Sequence, residues 1–349
     1  MKKKIKKSTV SSFVNYGIVI VLYTIFQILS STGSLTRQVS GLLIPVCAYI
    51  VMALSLNLVV GISGELSLGH AGFMSIGAFS GVIVSAMLQN SVTAGPLRLF
   101  IAIVVGAVFA ALAGFLIGIP VLRLKGDYLA IVTLAFGEII KNVINCLYVG
   151  VDASGLHIGF ESIDALKMDE TGRTIIDGPI GAAGIKTIST FLAGAILILV
   201  ALFIIQNLVR SRTGRAIMAI RDNRIAAEAC GLSVVKYKLT AFVIAASIAG
   251  AAGALYALNY STVVAKKFDF NTSILILVFV VLGGIGSLRG SMIAAAVLVV
   301  LPEMLRAFSD YRMLVYAIVL VIVMILTNNQ NAKTFFRNIK LKFSRKGDI

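Results

Sequence analysis

Two histidines, His70 and His157, and three cysteines, Cys47, Cys146 and Cys230, are all that this 349-residue chain offers for metal or thiol chemistry. There is no GxxxxGK[ST] phosphate loop, no HExxH, and no set of His, Cys or carboxylates at metal-ligand spacing. The cysteines fall in or beside apolar segments without CxxC spacing and read as small packing residues. A nucleophile–base set for hydrolysis within a membrane is missing. Charge is scarce too, at 13% of residues against 58% hydrophobic, with a mean hydropathy of +0.98. No soluble domain hides that much apolar surface. The apolar runs do not alternate at period two, which excludes an outer-membrane barrel. What remains is an all-α, polytopic helical membrane protein, expected as a single transmembrane domain over residues 1–349. Its 32 glycines suit helices in close contact.

The net charge of +16 gathers mostly at the termini and in one loop. That is the bias of cytoplasmic segments, and no nucleic-acid partner is inferred. The basic start, Met1 to Lys7, precedes an apolar run to Leu29 without an A-x-A cleavage site, so a retained first span is expected. Apolar segments follow at roughly 39–60, 66–88, 99–122, 128–149, 189–209, 239–260, 272–286, 290–306 and 312–327. With the N-terminus inside, the 150–188 loop falls outside, where six acids face three bases. Its length and its Asp, Glu and Gly content suit a small extracytoplasmic subdomain or docking surface. The tail beyond Ala332, with Lys333, Arg337, Lys340, Lys342, Arg345 and Lys346, belongs inside. An even number of crossings is therefore needed. It is obtained by splitting 272–306 at the glycine-rich stretch Gly283–Gly290 into two short crossings or a re-entrant pair, for about ten segments.

The loop from Arg210 to Lys238 sets seven bases against two acids, Asp222 and Glu228. Thr213 can cap a helix, residues 215–230 favour one, and Gly231 can supply a left-handed stop. A folded basic helix on the cytoplasmic face suggests a docking element for a soluble partner. Ala226 and Ala227 allow close approach. Arg215, Arg221 and Arg224, as charges beside anionic lipid, are expected to matter less. Two intramembrane features carry polar groups. Gly61–Phe73 packs Glu65, Ser67 and His70 among glycines, a density that either breaks a helix to line a pathway or makes a tight turn. Glu138 and Lys141 lie three residues apart on one helix face, where a lone charge costs about 2.5–3.5 kcal/mol. They are expected to pair, in a conduit or in a structural bridge.

Four stretches resemble the inner-membrane permeases of branched-chain amino acid ABC importers, the LivM-like subunit. They are SLNLVVGISGELSLGHAGFMSIGAF (55–79), LRLKGDYLAIVTLAFGEII (122–140), RSRTGRAIMAIRDNRIAAEACGLSVVKYKLTAF (210–242) and VVLGGIGSLRGSMIAAAVL (280–298). The likeness covers roughly residues 40–327. It implies a bacterial inner-membrane subunit with both termini cytoplasmic. It also implies a second related permease, two ATPases that hold ATP and Mg while this chain binds no cofactor, and an extracytoplasmic solute-binding protein. The cargo implied is leucine, isoleucine and valine, although related permeases serve urea, amides and other amino acids. The family's ATPase-contacting EAA-x-x-x-G pattern falls on Ala226, Ala227 and Gly231, but Ile225 stands where the pattern has Glu. The coupling surface is therefore placed on Arg215, Arg221, Asp222, Ala226, Ala227, Glu228 and Gly231. The pathway candidates are Glu65, Ser67, His70, Glu138 and Lys141. A self-sufficient ion-coupled carrier, with Glu138 as its ion site, is the competing reading.

Overall fold

Apolar runs in this chain become helices because only a helix satisfies its own backbone in a hydrocarbon surround. The structure, a computed structural model, describes residues 2–32, 36–89, 91–124, 126–152, 155–166, 168 and 172–305, and isolated positions between 311 and 321. Two compact units are distinguished, residues 1–296 and 297–349. Among the described residues the helices are α1 (Lys2–Ser31), α2 (Arg37–Asn57), α3 (His70–Met87), α4 (Gly95–Val121), α5 (Asp127–Asn145), α6 (Phe191–Arg210), α7 (Arg212–Asp222), α8 (Arg224–Ala229), α9 (Val234–Ala257), α10 (Phe270–Gly283) and α11 (Leu288–Met304). Apart from the short α7 and α8, each falls on one of the first nine expected segments. The tenth, 312–327, lies almost wholly outside the described residues, and the tail beyond Ala332 lies entirely outside them.

Among the described residues, five stretches are long and apolar enough to cross a membrane: Val39–Ser63, α3, α4, α6 and α9. The core is α9, wrapped by α2, α3 and α4. Small residues let these helices meet backbone to backbone. A methyl at Gly77 of α3 would lie 2.1 Å from the Gly250 carbonyl oxygen of α9, and one at Gly250 would lie 2.5 Å from the Gly106 oxygen of α4. No side chain fits at this three-helix crossing. On its other face α4 exposes Phe100, Val104, Val108, Leu112, Phe115 and Leu116, a stripe at helical spacing that suits lipid.

The expected split of 272–306 is present. Its 14-residue α10 spans only about 21 Å, short of the roughly 30 Å hydrocarbon core. A turn at Gly284–Ser287 leads into α11, and the two helices touch at their glycines. A methyl at Gly283 would sit 2.3 Å from the Gly290 carbonyl carbon.

Between α5 and α6 the chain folds into a sheet, the one departure from helix among the described residues. Strands β1 (Tyr148–Asp152), β2 (Gly155–Gly159), β3 (Arg173–Asp177), β4 (Gly181–Ala183) and β5 (Thr262–Val263) are antiparallel in the order β2-β1-β3-β4-β5. The subdomain expected in 150–188 thus recruits a strand from the α9–α10 connection, so both loops lie at one end of the helices. Lys266 and Lys267 follow β5 at that sheet end, and Lys267 rests over the Tyr260 ring. Of the cysteines, Cys47 is buried against Gly194, as packing residues are. Cys146 and Cys230 are exposed, contrary to the expectation, because each follows a helix end rather than facing a neighbour.

Candidate functional site

The basic loop is a folded helix pair rather than one helix over 215–230. Asn223 takes an extended conformation (φ −152°, ψ 102°), and its Oδ1 accepts from the Ala226 N–H, so α7 ends and α8 is capped anew. The first cap is Ser211, not Thr213: Ser211 Oγ accepts from the Gly214 N–H. Gly231 supplies the expected stop at φ +80°. Ala227 points inward, 5% exposed, against Ile220 and Val234 with Leu232 and Tyr237 around them. Ile225, at 80% exposure, together with Ala226 and Glu228, is what α8 presents outward. Arg224 pairs with Glu228 at 2.9 Å along this surface. Arg215 folds back, its Nη1 donating to the Arg210 carbonyl at the end of α6.

Arg221 is exposed, yet its guanidinium is held in place. Its Nε and Nη2 donate to Asp222 Oδ1 at 3.0 and 2.8 Å, and its Nη1 donates to the Gly61 carbonyl at 2.9 Å. Gly61 belongs to a π-helical turn, Leu58–Ser63, that ends the second membrane segment. Such widened turns leave carbonyls open to other partners. The Gly64 α-carbon, at φ +76°, lies under the Arg221 stem: a methyl there would be 2.5 Å from Cγ. Glu65 makes an ion pair with Lys238 at the start of α9. Asn57, fully buried one residue before the π turn, accepts from the Gly286 N–H at 2.9 Å and donates to Ser291 Oγ at 3.0 Å. The α10–α11 turn, the π turn and α7 therefore meet at one point, at the end of the helices opposite the sheet. Sequence reasoning missed Asn57 and Ser291, and took Gly61 only as the start of the glycine-rich Gly61–Phe73 stretch. A lone Asn inside an apolar run was the available signal, since such a group needs a buried partner.

The other pathway candidates separate into two places. His70 opens α3, 1% exposed, with Nε2 2.8 Å from Ser55 Oγ. Ser55 Oγ in turn donates to the Ala245 carbonyl at 2.5 Å, so its lone pair receives the Nε2–H. Nδ1 is thereby left a bare acceptor, and it and the buried Ser67 Oγ have no hydrogen-bond partner among the described residues. The stretch between π turn and α3 is tied down by Leu68 N–H to Thr133 Oγ1 and Ala71 N–H to Ser273 Oγ. Glu138 and Lys141 pair directly on α5. The other Glu138 oxygen accepts the Phe270 N–H at 3.2 Å, at the N-terminus of α10, where a carboxylate complements the helix dipole. His70 and the Glu138–Lys141 pair make no direct contact with each other among the described residues.

A helical bundle with a glycine-rich broken segment and a folded loop seated under it is the arrangement that known permeases can be set against. Residues 38–324 match the family described as branched-chain amino acid transport system, permease component. The chain is 39% identical over 286 residues to the high-affinity branched-chain amino acid transport system permease protein LivM of Escherichia coli (strain K12), covering 79% of this chain and 66% of that protein. The LivM of Salmonella typhimurium is 38% identical over 289 residues, again with 66% of its length covered. The probable LivM of Methanocaldococcus jannaschii is 24% identical over 287 residues, 74% of this chain and 79% of that one. The chain thus spans just under two thirds of the length of the two bacterial relatives. No solved structure matches. The chain belongs to the family of permease components of branched-chain amino acid transport systems.

Proposed function

We propose that this chain is the translocating subunit of an ATP-driven importer whose cargo is leucine, isoleucine and valine. ATP and Mg are held by two separate ATPase subunits, a second related permease completes the conduit, and a solute-binding protein delivers cargo at the sheet end. The basic end faces the cytoplasm, in keeping with the charge of the 210–238 loop. One observation carries the reading: α7–α8 is fastened to the bundle by Arg221 and by the buried Ala227 contacts, yet turns Ile225, Ala226 and Glu228 outward. That is a rigid knob for a soluble partner. On α5, Glu138 and Lys141 remain 32% and 20% exposed in a helix of the membrane region, which supports a face turned toward the second permease or the conduit rather than lipid.

Uptake of labelled leucine should be measured in proteoliposomes holding this chain, its cognate permease, ATPases and binding protein. ATP-dependent uptake, competed by isoleucine and valine but not by urea, is expected. Uptake by this chain alone under an ion gradient would instead establish the carrier reading.

A further inference from the structure

We propose that Arg221 is the positioning residue that transmits movement of the docked ATPase into the membrane, through the π turn and α10 to the Glu138–Lys141 pair. The inference rests on the docking role of α8 proposed above and goes beyond it by naming the route.

Each link in the route is a contact. Arg221 grips the Gly61 carbonyl from the α7 side. At its α-carbon Gly61 has no room for a side chain, because a methyl there would lie 2.0 Å from Asn57 Oδ1 and 2.4 Å from the Gly286 nitrogen. Gly286 is held by Asn57, and Asn57 also holds Ser291 of α11. The π turn is therefore clamped between α7 and the tip of the α10–α11 hairpin, and neither neighbour can shift without it. From that tip α10 runs about 21 Å as a rigid rod. Its far end is the Phe270 N–H, bound to Glu138 Oε1. A displacement of α7 thus arrives at an intramembrane ion pair by way of the π turn, the Gly284–Ser287 turn and α10. In this route the π turn is the element that changes: releasing one residue would return it to α-helix and shift the Gly61 carbonyl relative to Arg221. Arg221 suits the role because its planar fork binds Asp222 and Gly61 together, which orients the side chain across Gly64.

The test compares Arg221→Gln, Arg221→Lys and Ile225→Asp in the reconstituted complex, each also carrying Cys146→Ser and Cys230→Ser, which remove the exposed native thiols, and Asn271→Cys, an exposed position next to Phe270 in α10. Three readouts are taken: ATPase co-purification, leucine uptake per ATP hydrolysed, and the change in thiol labelling at position 271 when ATP is added. Arg221→Gln is expected to keep the ATPase bound and to lower uptake per ATP by about tenfold or more, the factor for a lost hydrogen bond to a charged group. It should also abolish the ATP-dependent change in labelling at position 271. Arg221→Lys, which retains one donor, should recover part of both. Uptake per ATP within twofold of the parent, or an ATPase lost from the Arg221→Gln complex, would overturn the transmission role. The docking reading fails separately, if Ile225→Asp leaves ATPase capture intact.

Discussion

Ala227 and Ile225 exchange the roles that their chemistry implies. The small residue is buried in the loop's own core, and the bulky apolar one stands in solvent. Ala227→Arg should therefore unfold α8 and lower the thermal stability of the detergent-solubilised chain, whereas Ile225→Asp should leave stability unchanged and affect only partner capture. A melting curve that reports equal loss for both would contradict the placement. Gly231→Val belongs to the same scale. Nothing lies within 4 Å of a methyl at Gly231, so the whole cost is the positive φ, about 1–2 kcal/mol, and Gly231→Asn should recover most of it. For Glu138 and Lys141, each single change to Gln should destabilise by stranding a charge, and the double variant should recover part of the loss, by about 0.5–3 kcal/mol of coupling. Glu138→Gln retains an oxygen for the Phe270 N–H, so what it loses is the pairing alone. Additive losses in a thermal-shift cycle would show that the two do not pair.

Elements in this chain are set by caps and glycines more than by their apolar content. Asn223 divides a stretch of uniformly good helix formers because its side chain binds the backbone that a continuous helix would need. Gly283 and Gly290 do the converse for α10 and α11, holding two short helices at backbone distance. Gly290→Ala would put a methyl 1.6 Å from the Gly283 oxygen, so the hairpin must open. The expectation is a loss of about 1–3 kcal/mol together with loss of uptake. Gly41→Ala in α2, where nothing lies within 4 Å, is the neutral control. Normal uptake with Gly290→Ala would mean that the hairpin contact is not needed for transport.

For the whole molecule, two native cysteines serve as probes of orientation. Cys146 is exposed beside β1 at the sheet end, and Cys230 is exposed beside Gly231 at the basic end. With Cys230→Ser, Cys146 should react with an impermeant thiol reagent applied outside intact cells. With Cys146→Ser, Cys230 should react only after permeabilisation. The opposite pattern would invert the orientation. Arg173 adds to the order of the sheet end, its Nη2 donating to the Gly184 carbonyl at 2.6 Å and its Nη1 to Gln89 Oε1 at 3.3 Å, so the strands are seated on the end of α3.

Hydropathy and charge, both local in the sequence, determined the class of this protein, the place of its longer helices, the break at Gly283–Gly290, the Glu138–Lys141 pairing and the stop at Gly231. The break follows from the even number of crossings that the two basic termini require, and the others from spacing along one segment: apolar length, i,i+3 geometry, or a left-handed glycine. Only the tertiary structure decided that 150–188 folds as a sheet completed by Thr262–Val263, since a two-residue strand has no periodicity of its own to read. It alone decided that Arg221 reaches Gly61 across 160 residues of chain, and that Asn57 holds Gly286 and Ser291. A charged or polar side chain declares in sequence that it needs a partner. Which partner it finds depends on where helices far apart along the chain are packed, and that is a property of the assembled bundle.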